Sequence, residues 1–337
     1  MGSLASRTGR LGLGLLVLTA LAGCGSQAFV VRPVPDRQDL EESVVQRDGG
    51  WCVWDKIAVI DVDGVLMNGS NEGLFGSGEN PVSLFQEKLD KARHDRRVKA
   101  VVLRLNSPGG TVGAADLMHH SLVSFRAKSK KPVIACVLDL AASGAYYLAC
   151  GSDGIMAQPT SVTGSIGVLV QTVSFAGAME KLGVSAEAIK SGQIKDLASP
   201  LRRLEPEERE VLKGIVMHLY DNFLAVVLQG RGKLTREKLA PLSDGRVFTS
   251  PAALEAGLID RIGYPADAIR WAKELAKLRR GKAVIYHRPV GYKPNVYASA
   301  EPLQPGASLI NIGLPSWLRS QGPQFLYLWQ IDNLSAP

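Results

Sequence analysis

Between residues 56 and 138 the chain alternates short β-branched apolar runs with stretches of helical period, and this alternation restricts the fold more than any other feature. Residues 56–62, 98–105 and 133–138 are too short for buried helices and too uniformly apolar for strands with one wet face. Each therefore reads as a strand buried on both sides. Pro81–His94 sets Val82, Phe85, Leu89 and Ala92 on one stripe, and a second helix is expected over about 114–127. Strand followed by helix, repeated, implies right-handed βαβ units around a mainly parallel sheet. With 337 residues, 46% of them hydrophobic, there is material for one large α/β domain or two smaller ones.

Two of the strand ends carry features that suit chemistry. After residues 133–138 come Ala141, Ala142, Ser143, Gly144 and Ala145, small enough for a sharp strand-to-helix turn. Such a turn can present the Ser143 hydroxyl beside unpaired N–H groups at a helix N-terminus, so Ser143 is a candidate nucleophile; an ordinary Ser N-cap fits the same residues. After residues 98–105 come Asn106-Ser107-Pro108-Gly109-Gly110-Thr111-Val112. Two glycines let the backbone approach a ligand, and N–H groups there can hold an oxyanion; a plain Gly-containing loop is the alternative. Thr163-Gly164-Ser165-Ile166-Gly167 has no following Lys and is no P-loop.

The N-terminus has Arg7, Arg10 and an apolar run over 11–22, short of the roughly 20 residues that span a bilayer. It reads as the h-region of a signal peptide. Leu21-Ala22-Gly23-Cys24 resembles a bacterial lipobox, with Cys24 the lipidated residue; a plain signal peptide or an uncleaved anchor would share the h-region. The expected divisions are a lipoprotein signal peptide over 1–23, a tether over 24–50, a catalytic domain over 51–281 and a partly irregular C-terminal extension over 282–337. Cleavage before Cys24 removes two arginines and no acid, leaving +5 of the formal +7. That excess, with no basic run interleaved with aromatics, does not suggest nucleic acid as a partner. Cys52, Cys136 and Cys150 form no pairing framework, and without a Cys/His cluster no metal is expected.

Further along, residues 188–189 read as a brief strand and residues 190–200 as a polar loop with Lys190 and Lys195. A long amphipathic helix is expected over about 205–229, with Leu212, Ile215, Val216, Leu219, Phe223, Val226 and Val227 on one face. Residues 325–329 are apolar and aromatic, and a segment of that kind docks on something. Asp61-Val62-Asp63-Gly64 after a strand also looks like the first motif of haloacid-dehalogenase-type phosphatases, but no later acidic motif for magnesium follows. None of the five histidines lies in a Gly-rich loop or at a strand end, so the base for Ser143 is sought among lysines, with Lys195 a candidate. An amine base near neutral pH needs its pKa lowered by about 3 units, through burial or a neighbouring cation.

Asn106-Ser107-Pro108-Gly109-Gly110, Ala142-Ser143-Gly144-Ala145-Tyr146-Tyr147, Thr163-Gly164-Ser165-Ile166-Gly167, Lys190-Ser191-Gly192-Gln193-Ile194-Lys195-Asp196 and Asp244-Gly245-Arg246-Val247-Phe248 occur in this order. Together they resemble the signal peptide peptidase A family, membrane-associated serine peptidases with a Ser-Lys dyad. The resemblance implies an α/β Clp-protease/crotonase-like fold built from βαβ units, here with a long amphipathic helix and a C-terminal extension. It further implies Ser143 as nucleophile, Lys195 as general base, Gly110 and Gly144 as oxyanion-hole positions, and no cofactor. Substrates would be cleaved signal peptides and other unfolded apolar peptides. A single copy of the motifs fits a short member that forms a homo-oligomeric ring, in which Lys195 of one subunit meets Ser143 of the next. With Cys24 lipidated, the chain would be an exported bacterial lipoprotein held at the extracytoplasmic side of a membrane. The other readings are a crotonase-like acyl-CoA enzyme, a catalytically inactive crotonase-like scaffold, and a phosphatase using Asp61 and Asp63.

Overall fold

The computed structural model describes residues 39–50, 53–69, 79–288 and 325–329, with the backbone of Glu72, Gly73, Gly76 and Ser77. The expected signal peptide, Cys24, Cys52 and most of the C-terminal extension lie outside the described residues. In chain order the elements begin with β1 (Glu41–Arg47), β2 (Lys56–Asp63), β3 (Glu72–Gly73), β4 (Gly76–Ser77), α1 (Pro81–His94), β5 (Val98–Ser107), β6 (Gly109–Thr111) and α2 (Val112–Ser129). They continue with β7 (Val133–Ala142), α3 (Gly144–Ala149), β8 (Gly154–Ala157), β9 (Val162–Gly164), β10 (Leu169–Val170), α4 (Ala176–Lys181) and α5 (Pro206–Gly230). The remainder is α6 (Arg236–Leu239), β11 (Val247–Thr249), α7 (Ser250–Glu255), β12 (Arg261–Ile262), α8 (Pro265–Leu275), β13 (Lys282–His287) and β14 (Phe325–Leu328).

The main sheet runs β1-β13-β2-β5-β7-β8-β12, with β9 joined to β7 and β11 joined to β9. From β13 to β12 every neighbour along this path is parallel, as the strand–helix alternation requires. Successive residues face opposite sides of the sheet. Ile57, Val59, Ala100, Val102, Ile134 and Cys136 face α8, where Ile269, Trp271 and Ala272 cover them. Ala58, Ile60, Val101, Leu103, Ala135 and Val137 face the larger core built with α1, α2 and α3. Helix α1 starts where Asn80 accepts from the N–H groups of Val82 (2.9 Å) and Ser83 (3.3 Å), with Pro81 in its first turn.

Three local expectations change. Part of the presumed tether and the first residues of the presumed extension belong to the sheet: β1 pairs antiparallel with β13, and β13 pairs parallel with β2. β1 does not stand out in sequence because it is charged and half-exposed, as an edge strand is. The strand expected over residues 133–138 does not stop at Leu138 but runs to Ala142, so the turn into α3 is the single residue Ser143. Residues 188–189 form no strand, and Ile189 is fully exposed.

Candidate active site

Ser143 sits between the end of β7 and the first residue of α3 with φ 52°, ψ −114°, a backbone conformation that non-glycine residues adopt only under constraint. Its side chain makes no cap hydrogen bond, which removes the N-cap reading. The strain is held in place from both sides. Ser143 N–H donates to Gly164 O (2.8 Å) in β9, and Ser143 O accepts from Tyr147 N–H (2.9 Å) in α3. β9 is itself pinned by β11: Ser165 N–H donates to Arg246 O (2.8 Å), Gly245 N–H to Ile166 O (3.1 Å), and the Phe248 ring packs over Gly164. The Thr163 and Asp244 motifs are thus a brace for the Ser143 turn, a role their sequence does not reveal.

Gly110 reaches the same place from the neighbouring strand end. Leu66 N–H donates to Gly109 O and Thr111 N–H to Leu66 O, both 2.8 Å, so the loop after β2 clips β6 into position. A Cβ on Gly110 would stand 1.9 Å from Leu66 O, so only glycine fits. A Cβ built on Gly144 would lie 3.3 Å from Gly110 N and 3.1 Å from the carbonyl oxygen of Tyr327. Gly144 N–H, at the first position of α3, has no acceptor within its helix. Gly110 N–H bonds Tyr327 O: the register pairs Tyr327 with Gly110, Trp329 N–H donates to Pro108 O (2.8 Å), and bonded pairs alternate along an antiparallel ladder. Gly144, the residue after Ser143, is therefore a close neighbour of Gly110 and of the Tyr327 carbonyl.

Lys195 is not brought to them. It lies in an exposed segment between α4 and α5, and among the described residues its side chain makes no hydrogen bond or ion pair. Lys190 is committed instead, donating to Asp196 Oδ1 (2.5 Å) and Gln193 O (2.7 Å). Arg202 first, then Lys190, hold the Asp196 carboxyl well below the usual carboxylate range. His119 packs edge-on against Tyr147 with ring centroids 5.1 Å apart, and burial pushes its pKa down. The Asp61 carboxylate receives Arg104 Nε (2.5 Å) and a guanidinium Nη (2.8 Å), with both side chains buried between β2 and β5. A carboxylate so occupied is a structural ion pair, not a nucleophile for phosphorus. Sequence reasoning missed the aromatic cluster beside Ser143, formed by Tyr147, Phe223 and Tyr327 with centroids 4.7–5.2 Å apart. Its one legible trace was the aromatic run at residues 325–329.

A parallel α/β sheet with these strand-end turns is that of the Clp-protease/crotonase-like fold, and its match among families is a family of peptidases. The chain belongs to peptidase family S49, whose model matches residues 126–279, a stretch that includes Ser143 and Lys195. It is 37% identical over 231 residues to a protein of Enterococcus faecium provisionally named signal peptide peptidase SppA, covering 68% of this chain and 67% of that one. It is also 37% identical over 230 residues to a provisionally named protease of Synechocystis sp., covering 68% of this chain and 78% of the other. Similarity to Protease 4 of Haemophilus influenzae is 32% over 267 residues, 79% of this chain but 42% of that longer protein. The chain is accordingly a protease, with peptides as its substrates.

Proposed function

We propose that this protease is a membrane-anchored serine endopeptidase that hydrolyses cleaved signal peptides and other unfolded apolar peptides through an acyl-enzyme on Ser143. The reading is supported above all by the strained Ser143 turn, which stands next to Gly144 and close to the glycine pair at Gly110. In the reaction neutral Lys195 takes the Ser143 hydroxyl proton and Oγ attacks the peptide carbonyl, whose oxygen is held by the two N–H groups. The protonated amine of Lys195 then gives its proton to the leaving amine, and water releases the acyl group. Signal peptides as substrates are supported by the name of the Enterococcus relative and by the apolar, aromatic lining beside Ser143.

A lysine base must lose its water, yet Lys195 is exposed within one chain. The segment around it also exposes Leu182 (78%), Val184 and Ile189, and α5 exposes Val211, Ile215 and Met217. Exposed apolar groups in that number support a neighbouring copy that covers them and brings Lys195 to Ser143, in a homo-oligomeric ring. Cleavage after residue 23 and lipidation of Cys24 would anchor the ring at the extracytoplasmic face of a membrane, with the peptidase domain beginning near the end of the tether. The test is cleavage of a fluorogenic apolar peptide by the protein beside Ser143→Ala and Lys195→Ala. Both variants should fold and lose at least about 10³-fold in rate, and mixing the two should restore activity. A folded Lys195→Ala protein with full activity removes Lys195 as the base. A wild type that labels with no serine-reactive probe and cleaves nothing is a silent scaffold.

A further inference from the structure

The parallel strands begin at one end of the sheet, and the loops that lead into them carry most of the chain's positive charge. Lys56 pairs with Val98 and with Lys282, and Val101 with Val133, so β2, β5, β13 and β7 start side by side. The loops are bonded to one another there. Lys56 N–H donates to Arg97 O (2.7 Å), Val101 N–H to Pro132 O (2.9 Å), Lys282 N–H to Asp55 O (3.0 Å) and Lys131 Nζ to Asp95 O (2.8 Å). Leu275 at the end of α8 lines one shallow groove with Lys130. Residues 47–50, 53–56, 91–99, 126–132 and 273–282, with Asp153, hold sixteen Lys or Arg and five Asp or Glu. Their balance of +11 exceeds the +7 of the whole chain, so the remainder is net acidic. The carboxylates of this edge are already engaged. Lys56 donates to Asp95 (2.9 Å), Lys273 to both oxygens of Asp48 (2.9 and 2.8 Å) and Arg126 to both of Asp153, while Glu274 pairs with Arg261 (3.4 Å). Arg96, Lys128, Lys130, Lys277 and Arg279 are exposed and, among the described residues, make no ion pair. The Arg97 guanidinium stands 5.1 Å over the ring of Trp54, which is itself 62% exposed.

We infer that this basic edge of the sheet is a docking surface for an anionic phospholipid bilayer, with Arg96, Lys130 and Arg279 among its headgroup contacts and Trp54 at the level of the headgroups. Cations in the last turns of α1 and α2 offset the carbonyl ends of those helices, which accounts for Arg93, Arg126 and Lys128. It does not account for Arg96, Lys130, Lys277 and Arg279, which lie in the loops beyond the helix ends. Basic groups gathered on one surface attract anionic lipid once they come within a screening length of it, and the attraction adds up over the cluster. An exposed indole beside them is the side chain that settles at a membrane–water boundary. The chain also emerges here. Leu40 O accepts from Lys91 Nζ in the last turn of α1 and the Glu42 carboxylate from Lys56 Nζ (2.7 Å), so the segment leading back toward Cys24 starts beside these loops. Ser143 follows the opposite end of β7, ten residues along, which places it about 30 Å from this surface. Docking thus holds the Ser143 turn clear of the headgroups. The inference goes beyond the peptidase reading and shares with it only the membrane setting.

Sedimentation with vesicles tests the surface, using the full chain as Cys24→Ser so that no acyl group contributes. Vesicles of phosphatidylcholine mixed with phosphatidylglycerol should bind the protein at least about 100-fold more tightly than vesicles of phosphatidylcholine alone. The preference should fade as salt is raised toward about 1 M, where the screening length falls to about 3 Å. Arg96→Gln, Lys130→Gln and Arg279→Gln combined should lower binding to the anionic vesicles about 100-fold, at about 5-fold for each cation removed, without moving the urea midpoint. Three charges removed from α5 and α6, as Lys213→Gln with Arg236→Gln and Lys238→Gln, should leave that binding nearly unchanged. Equal binding to the two kinds of vesicle, or equal losses in the two triple variants, overturns the inference. Tighter binding to a short DNA duplex than to the anionic vesicles, lost in the Arg96/Lys130/Arg279 variant, assigns the edge to nucleic acid and overturns it as well. None of these readings involves peptide cleavage or lipidation of Cys24, so the proposed peptidase stands or falls separately.

Discussion

Ser143 combines two demands in one residue: it must carry an oxygen nucleophile and it must hold φ at 52°. Glycine meets the second demand without strain, so Ser143→Gly should be more stable than Ser143→Ala by about 1–2 kcal/mol, read from urea unfolding, while both are inactive. Arg104 and Asp61 make the opposite case, residues that look reactive and serve the fold. Arg104→Met takes the guanidinium away from the buried Asp61 carboxylate, and should cost about 3–5 kcal/mol of stability by the same measurement. Stability unchanged in that variant would contradict the buried pair. Cys136 and Cys150 are buried free thiols whose pKa burial pushes up to about 12. Neither should react with a thiol reagent until the protein is unfolded, and labelling of either in the native state would place it elsewhere.

At the scale of elements, α5 does two jobs along its length. Its C-terminal half contributes to the core: Phe223, Leu224 and Val227 are buried, and Phe223 packs on both Tyr147 and Tyr327 of β14. The far end is tied down where Arg231 donates to both Asp260 oxygens at 2.7 Å, while Asp260 also accepts from Ile155 N–H (2.8 Å) in β8. Burial alone would raise the Asp260 pKa, but the bonds from Arg231 and Ile155 outweigh it and leave the carboxyl below its ordinary value. A carboxyl lowered in the folded state contributes stability that is complete above its unfolded pKa of about 3.9 and is lost as pH falls through the folded value. Unfolding midpoints should therefore drop more steeply below about pH 4 in the wild type than in Asp260→Asn; parallel acid limbs would show that this clamp carries no linkage. The N-terminal half of α5 exposes Val211, Ile215 and Met217, and of these only Ile215 lies on the expected apolar stripe, whose Leu212 is buried. By length and composition the helix could cross a bilayer, but its buried half is packed on α3.

For the whole molecule the unresolved economy is surface rather than core. The segment between α4 and α5 exposes Leu182, Val184 and Ile189 together with Lys195, and a second copy would bury them all at once. Replacing both Leu182 and Ile189 by Asp should convert an oligomer to monomers in sedimentation and lower peptide cleavage about 100-fold or more, since each aspartate at a buried contact is left unpaired. Full activity in a monomer would locate the base within the chain. Much of this organisation was legible beforehand. α1 covers the stretch that its apolar stripe indicates, and β2 and β5 fall where the β-branched runs are. β1 was not legible, because an edge strand of mixed polarity has no signature until its partner is known, while β13, buried between β1 and β2, fell where the extension was expected to begin.

By itself the sequence determined the alternation of buried strands and helices, hence the parallel sheet, and its small-residue strand-end turns made Ser143 and the Gly109-Gly110 loop candidates, with the roles of Gly110 and Gly144 implied only by the family resemblance. Those signals are local, carried by period and by side-chain size over a few residues. Tertiary structure alone decided which distant segments meet: that Leu66 clips the Gly110 loop, that Arg246 and Gly164 brace Ser143, that Arg104 claims Asp61, and that Tyr327 lies across the site. Each of those contacts joins residues far apart in the chain through backbone hydrogen bonds or burial, and neither leaves a pattern in the amino-acid order.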